Sequence, residues 1–129
     1  MVSKTTRYAL RVLVALSGSR GNGAMGSRGL AQDLGIPGPY LGKILSALSR
    51  NDIVESSRGR GGGYRLNRRP EAVSLKTVLQ LFEPEALERV CIVGNPDCPG
   101  ASCARHKDWQ AAYGRFLALM EETTIADIA

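Results

Sequence analysis

Histidine is almost absent from this chain. His106 is the only one among 129 residues, and cysteine is limited to Cys91, Cys98 and Cys103. An odd, small cysteine count argues against a disulfide framework and for metal binding or redox chemistry in a reducing compartment. Aromatic residues are scarce at 5%, so a core must lean on Leu, Val, Ile and Ala. There is no run of about eighteen apolar residues that could span a membrane. The apolar stretch from Ala9 to Leu16 follows basic residues, as a signal peptide would. It is short, is broken by Arg11 and lacks a small-x-small cleavage site, so the expectation is a cytoplasmic protein with no membrane partner. The equipment of an enzyme is missing too. No nucleophile–base pair or phosphate loop can be found, and Gly61–Gly63 lacks the strand-loop-helix context of a nucleotide fingerprint.

What is present is unevenly distributed. Residues 1–69 hold twelve Lys and Arg against three acids, a net +9, whereas residues 70–129 hold five against nine, a net −4. A basic half joined to an acidic half implies a polyanion on one side only, and nucleic acid is the leading candidate. All three cysteines fall within the thirteen residues 91–103, and His106 follows three residues later. Gly94, Pro96, Pro99 and Gly100 bend this loop so that distant residues can converge. Three thiolates and one imidazole can hold a 2Fe–2S or 4Fe–4S cluster, or a tetrahedral zinc. Zinc commonly uses C-x2-C knuckles, which are absent, whereas the C-x6-C-x4-C spacing suits a larger object.

Periodicity supplies the frame. Ser3 or Thr5 can cap a first helix that runs to about Ser17, with Ala9, Val12, Leu13 and Leu16 on one face. Gly18, Gly21, Gly23 and Gly26 form a loop, and Ser27 is read as the N-cap of a helix Arg28–Leu34 ended by Gly35. Pro37 and Pro39 bracket a turn before a helix from Tyr40 to about Asn51, which completes a helix-turn-helix. Ile53–Ser56 and Tyr64–Leu66 read as two strands around SRGRGGG, a flexible cationic tip. A helix-turn-helix followed by such a hairpin is a winged helix. Leu75, Val78, Leu79 and Phe82 mark a closing helix stopped by Pro84. From about Lys107 to Glu122, Trp109, Ala112, Tyr113, Phe116, Leu117 and Met120 form an apolar stripe suited to a homodimer seam or to the chain's own core.

The fold class expected is therefore mainly α with a small β-hairpin wing: a winged helix-turn-helix plus a long dimerisation helix. The division is residues 1–83 for the DNA-binding region, 84–106 for the cysteine loop, and 107–129 for the dimerisation helix and tail.

The run PYLGKILSALSRNDIVESSRGRGGGYRL, the opening TTRYALRVLVAL and the terminal TIADIA resemble the Rrf-type-two bacterial transcription regulators, which include IscR, NsrR and RirA. The resemblance implies a DNA-binding regulator, by preference a repressor. It would sense iron, redox or nitric-oxide status through an iron–sulfur cluster, 2Fe–2S favoured and 4Fe–4S possible. Its partners would be a double-stranded DNA operator and a second copy of the chain. It implies a recognition helix over Pro39–Arg50 with Tyr40 and Lys43 toward the major groove, and a minor-groove arginine at Arg58. The DNA-facing set is completed by Ser27, Arg28, Pro39, Arg60 and Gly61. Cys91, Cys98 and Cys103 correspond to cluster ligands, and His106 stands where IscR has its histidine ligand. This chain departs from the pattern at Gly42, where IscR has glutamate, at Arg60, where proline is frequent, and in spacing, since IscR has C-x5-C-x5-C. Arg7 stands where NsrR-like members take an aspartate ligand, and no acid precedes Asp33. The alternatives are a same-fold regulator that senses by cysteine oxidation or zinc, and a small iron–sulfur electron-transfer protein.

Overall fold

The computed structural model describes residues 2–19, 23–88, 91–95 and 97–129. Gly21 of the first loop and Pro96 of the cysteine loop lie outside the described residues.

Helix α1, Lys4–Gly18, begins where the Ser3 hydroxyl accepts the Thr6 amide at 3.1 Å, so Ser3 is the cap. Its buried face is the expected one: Ala9, Val12 and Leu13 are wholly inaccessible and Leu16 nearly so. A second tie comes from Glu83, a buried carboxylate that accepts the Ser3 amide at 2.8 Å. That places a negative group at the positive end of α1.

Helix α2 spans Ser27–Leu34. Gly26, not Ser27, is its N-cap, and no side chain caps it. The expected serine cap is thus displaced by one residue, because the backbone at Gly26 is already extended and Ser27 has entered the helix. Gly35 ends α2 in the left-handed region at φ +63°. Ile36 then donates its amide to Ala31 at 3.0 Å and buries its side chain.

Helix α3, Gly38–Arg50, starts two residues earlier than periodicity suggested, since Pro39 is accommodated in the first turn. Leu41, Ile44, Leu45 and Leu48 form its buried face. Arg68 caps its C-terminal end, donating to the Asn51 and Asp52 carbonyls at 2.9 and 3.2 Å.

Strands β1, Val54–Ser57, and β2, Gly63–Leu66, pair antiparallel in the register Val54↔Leu66 to Ser57↔Gly63. Tyr64 of β2 also exchanges both backbone bonds with Met25, at 2.8 and 2.9 Å, so the wing is fastened to the segment that leads into α2. Helix α4, Leu75–Phe82, is capped by Ser74 and contributes Val78 and Leu79 to the core. Helix α5, His106–Glu122, packs on α4 but fully buries only Met120. The chain then returns. Leu75 donates to Thr123 and Ile125 donates to Val73, both at 2.9 Å, which sets the short helix α6, Ile125–Ile128, against α1. Ile125 is wholly buried.

The two glycine classes of this fold respond oppositely to a methyl group. A Cβ on Gly63, which has φ +141°, would stand 2.4 Å from the Met25 carbonyl oxygen. Gly63→Ala is expected to lower stability in urea unfolding by about 2–3 kcal/mol. Gly42 lies within α3 and is open on every side, so Gly42→Ala is expected to raise stability by about 0.5–1 kcal/mol.

Candidate nucleic-acid interface and cysteine loop

The exposed face of α3 presents Pro39, Gly42, Lys43, Ser46 and Arg50. Lys43, Ser46 and Arg50 recur at helical spacing on the side opposite the leucine core. Ser46 and Arg50 were absent from the sequence-based set. Their signal was the complement of the apolar stripe, legible in the same heptad that identified the core. Tyr40 is oriented differently from a free reading residue. Its ring is half-buried, stands edge-on to Tyr8 at 5.5 Å, and its hydroxyl is hydrogen-bonded to Thr5.

Arg58, Arg60 and Gly61 lie exposed at the wing tip. Gly59 and Gly61 adopt φ of +89° and +75° in open space. Gly62 and Gly63 answer to a different demand, since a Cβ on either would meet backbone at 2.5 and 2.4 Å. Half of the glycine run is therefore required by the turn and by the Met25 pairing rather than by approach of a ligand. That pairing brings Ser27 and Arg28, both exposed at the start of α2, alongside the base of the wing. Among the described residues the ion pairs engage Arg65, Arg69, Lys76, Arg105 and Arg115, and none engages Arg28, Lys43, Arg50, Arg58 or Arg60. Unpaired cations of this kind are what attraction of a phosphate backbone requires.

In the cysteine loop, residues 91–94 make a tight turn closed by the Gly94 amide on the Cys91 carbonyl at 2.8 Å, with Gly94 at φ +67°. The turn aims amides at the Cys91 sulfur. The Val93 and Asn95 N–H groups hold its thiol below the ordinary range, with smaller help from the Cys98 side chain and the Gly94 amide, against a rise from burial. Cys98 Sγ in turn lies 3.5 Å from His106 Nδ1. His106 is the first residue of α5, and its amide bonds the Cys103 carbonyl at 3.1 Å. The structure thus brings Cys98 to His106, and Cys91 sits in the amide-lined turn earlier in the same loop. Cys103 stands on its own turn, its amide on the Gly100 carbonyl at 2.9 Å. Among the described residues no three His, Cys, Asp or Glu side chains converge as a metal-binding group. In kind, the donor set suits a thiophilic group: a thiol in a turn of amide N–H donors, and a second thiol of the same loop with an imidazole beside it.

Beyond the loop, α5 carries Trp109, Tyr113 and Phe116 as a ladder with ring centroids 5.7 and 5.6 Å apart. The Tyr113 hydroxyl donates to the Ala86 carbonyl. Burial, and then the Glu83 and Glu88 carboxylates, push that phenol above its usual range, so it stays a donor at neutral pH. No helix among the described residues is long and apolar enough to cross a membrane.

Known proteins share this architecture. The family described as Rrf2, iron-dependent transcriptional regulator, matches residues 2–129. The HTH-type transcriptional repressor NsrR of Streptomyces coelicolor is 31% identical over 98% of this chain and 86% of its own length. The HTH-type transcriptional regulator IscR of Yersinia pseudotuberculosis is 26% identical over 95% and 74%. The solved structure of CymR, the global cysteine regulator of B. subtilis, superposes with a TM-score of 0.84 at 25% identity, covering 100% of this chain and 95% of that one. The winged-helix reading and the absence of enzymatic function are borne out. This chain belongs to the Rrf2 family of transcriptional regulators.

Proposed function

We propose that this regulator acts as a homodimer on an operator and senses iron or redox status through an iron–sulfur cluster held by Cys91, Cys98, Cys103 and His106. The observation that carries the sensing reading is the 3.5 Å approach of Cys98 to His106, in a loop that also holds Cys91 and Cys103 and ends at the first residue of α5. The family description, iron-dependent, supports the same reading. A bound cluster supplies a reversible one-electron centre whose potential an imidazole ligand raises. The chain's own residues do the rest. His106 couples the loop to the start of α5. Through Tyr113 and Ala86, α5 couples to the turn after α4, where buried Glu83 holds the first amide of the α1 cap. Displacement of His106 is therefore felt at the base of the DNA-binding region, which is the two-site requirement of an allosteric regulator.

The dimer reading rests on α5. Trp109, Tyr113, Phe116 and Leu117 are only half-buried, and Leu119 is 46% exposed. This leaves an apolar face that a second copy would cover. Symmetric operator readers need such a dimer to span two half-sites. The placement of Cys91 and Cys98 as free thiols on one short loop also favours a second reading, in which the two sense by oxidation without a cluster.

Anaerobic purification with iron and sulfide analysis separates the two. The cluster reading expects stoichiometric iron and sulfide and a visible chromophore, and colourless, iron-free protein would leave the thiol reading. Cys98→Ala should abolish the chromophore. His106→Ala should leave a cluster that assembles on three cysteines, with a shifted spectrum and faster loss in air. An unchanged spectrum removes His106 from the ligand set.

For the DNA face, Arg58→Ala should cost about 1–3 kcal/mol of specific binding at fixed salt, provided that Arg58 enters an A·T-rich minor groove. Lys4→Ala should cost less. For about six phosphate contacts per dimer, the slope of log affinity against log salt should be near −5. A flat response would mean that the basic half faces something else.

A further inference from the structure

Apart from Pro39, the first turn of α3 has little local support. Its N-cap is Pro37, no side chain caps it, its first turn holds no acid, and Gly38 and Gly42 both lie within its first five residues. A helix start of this kind frays unless something outside it holds it. Yet this turn carries Pro39 and precedes Lys43 on the exposed face.

The holding comes from α1, whose opposite face is locked in the core by Ala9, Val12, Leu13 and Leu16. The first two turns of α1 offer Lys4, Thr5, Tyr8 and Arg11 to the helix-turn-helix. The Thr5 and Tyr40 hydroxyls are hydrogen-bonded. Tyr8 packs against the Tyr40 ring at 5.5 Å and an interplanar angle of 88°. The Tyr8 ring is itself covered by Lys4 at 5.6 Å and Arg11 at 5.9 Å. Arg11 reaches past it to donate to the Leu34 carbonyl at 2.7 Å, the last residue of α2. A single strip of α1 thus grips the end of α2 and the beginning of α3, the two sides of the turn between them.

We propose that Tyr40 is a positioning residue: its hydroxyl tie to Thr5 and its ring contact with Tyr8 make α1 set the angle of α3. Thr5 and Tyr8 are on this account determinants of operator specificity that act through α3 rather than by touching DNA. The proposal rests on the reading of α3 as the recognition helix. The physical logic is that of pre-organisation. A recognition helix that already holds its binding angle loses no population to other angles, and an untethered one binds more weakly by the fraction that is misaligned. Non-specific attraction to phosphate depends on the exposed cations and is indifferent to that angle.

The test is fluorescence anisotropy with a duplex enriched from a random pool by the wild-type protein, and with a scrambled duplex as the non-specific probe. Thr5→Val and Tyr40→Phe each remove one hydroxyl of the tie and keep side-chain shape. Each should weaken operator binding by about three- to tenfold, the scale of one net hydrogen bond. The double variant should be no weaker than either single one, because both remove the same bond. Binding to the scrambled duplex and the salt slope on the operator should be unchanged, and Thr5→Ser, which keeps a hydroxyl, should restore affinity. Circular dichroism and melting temperature separate this from unfolding, since the effect should appear in variants that remain folded at the assay temperature.

A loss in Tyr40→Phe with a salt slope shallower by about 1, while Thr5→Val stays at wild-type affinity, would mean that Tyr40 contacts a phosphate directly and would overturn the proposal. Unchanged affinity in both variants would overturn it as well. Failure of the wild-type chain to enrich any duplex would remove the recognition-helix reading and this proposal with it. That outcome is distinguishable because no variant is needed to see it.

Discussion

Burial of the apolar face of α1 is the constraint on which the rest of the structure depends. Ala9, Val12, Leu13 and Leu16 are shielded on all sides, and α1 meets α2, α3, α4, α6 and β2. Few helices in so small a chain can afford to be polar on both sides, and α1 is not. Its inward face is aliphatic. Its outward face carries the cations and hydroxyls that hold the helix-turn-helix. Each large aliphatic side chain buried there contributes about 1.5–3 kcal/mol. The position of α1 is thus set by packing, and the weaker polar ties built on it inherit a fixed reference.

The second layer of organisation is backbone pairing outside regular elements. Met25 pairs with Tyr64 and so ties the entrance of α2 to the wing. Ser74 pairs with Thr124 and so returns the end of the chain to the start of α4. Each is a single bridge between segments far apart in sequence. Together they mean that the wing, the first recognition-region helix and the tail cannot move independently of the core. Arg68 adds a third tie, from the exit of the wing to the carbonyls just past the end of α3. The wing is thus fastened to the entrance of α2 by Met25 and to the exit of α3 by Arg68.

Within the acidic half lies the cysteine loop, and its local chemistry follows from turn geometry. A four-residue turn with Gly94 in the left-handed region points successive amides inward, and at Cys91 those amides meet sulfur. The same loop leads directly into α5, so a ligand bound there would act on a long lever. That lever is tied to the body by Tyr113 on Ala86, by Phe116 against the core and by Met120 within it, while Leu119 stays exposed.

Much of this was legible in the residues alone. The 3.6-residue spacing of Ala9–Leu16 and Leu41–Leu48 determined which faces are buried, because an aliphatic stripe has one low-energy destination in water. The glycine-rich tip between two short β-branched or aromatic runs determined the hairpin, and the gathering of every cysteine beside the one histidine determined the candidate sensor loop. Tertiary structure decided the rest. Ser27 was an apt cap by type, but the extended backbone at Gly26 took that position. Tyr40 was legible as a residue of the recognition helix, and only the approach of α1 turned its hydroxyl to Thr5. Gly63 reads from the sequence as part of a flexible tip, and only the arrival of Met25 made it a steric necessity of the fold. In each case the deciding partner is more than thirty residues away or lies in backbone conformation. Local pattern carries no information about which distant atom will fill a given space, and packing alone assigns it.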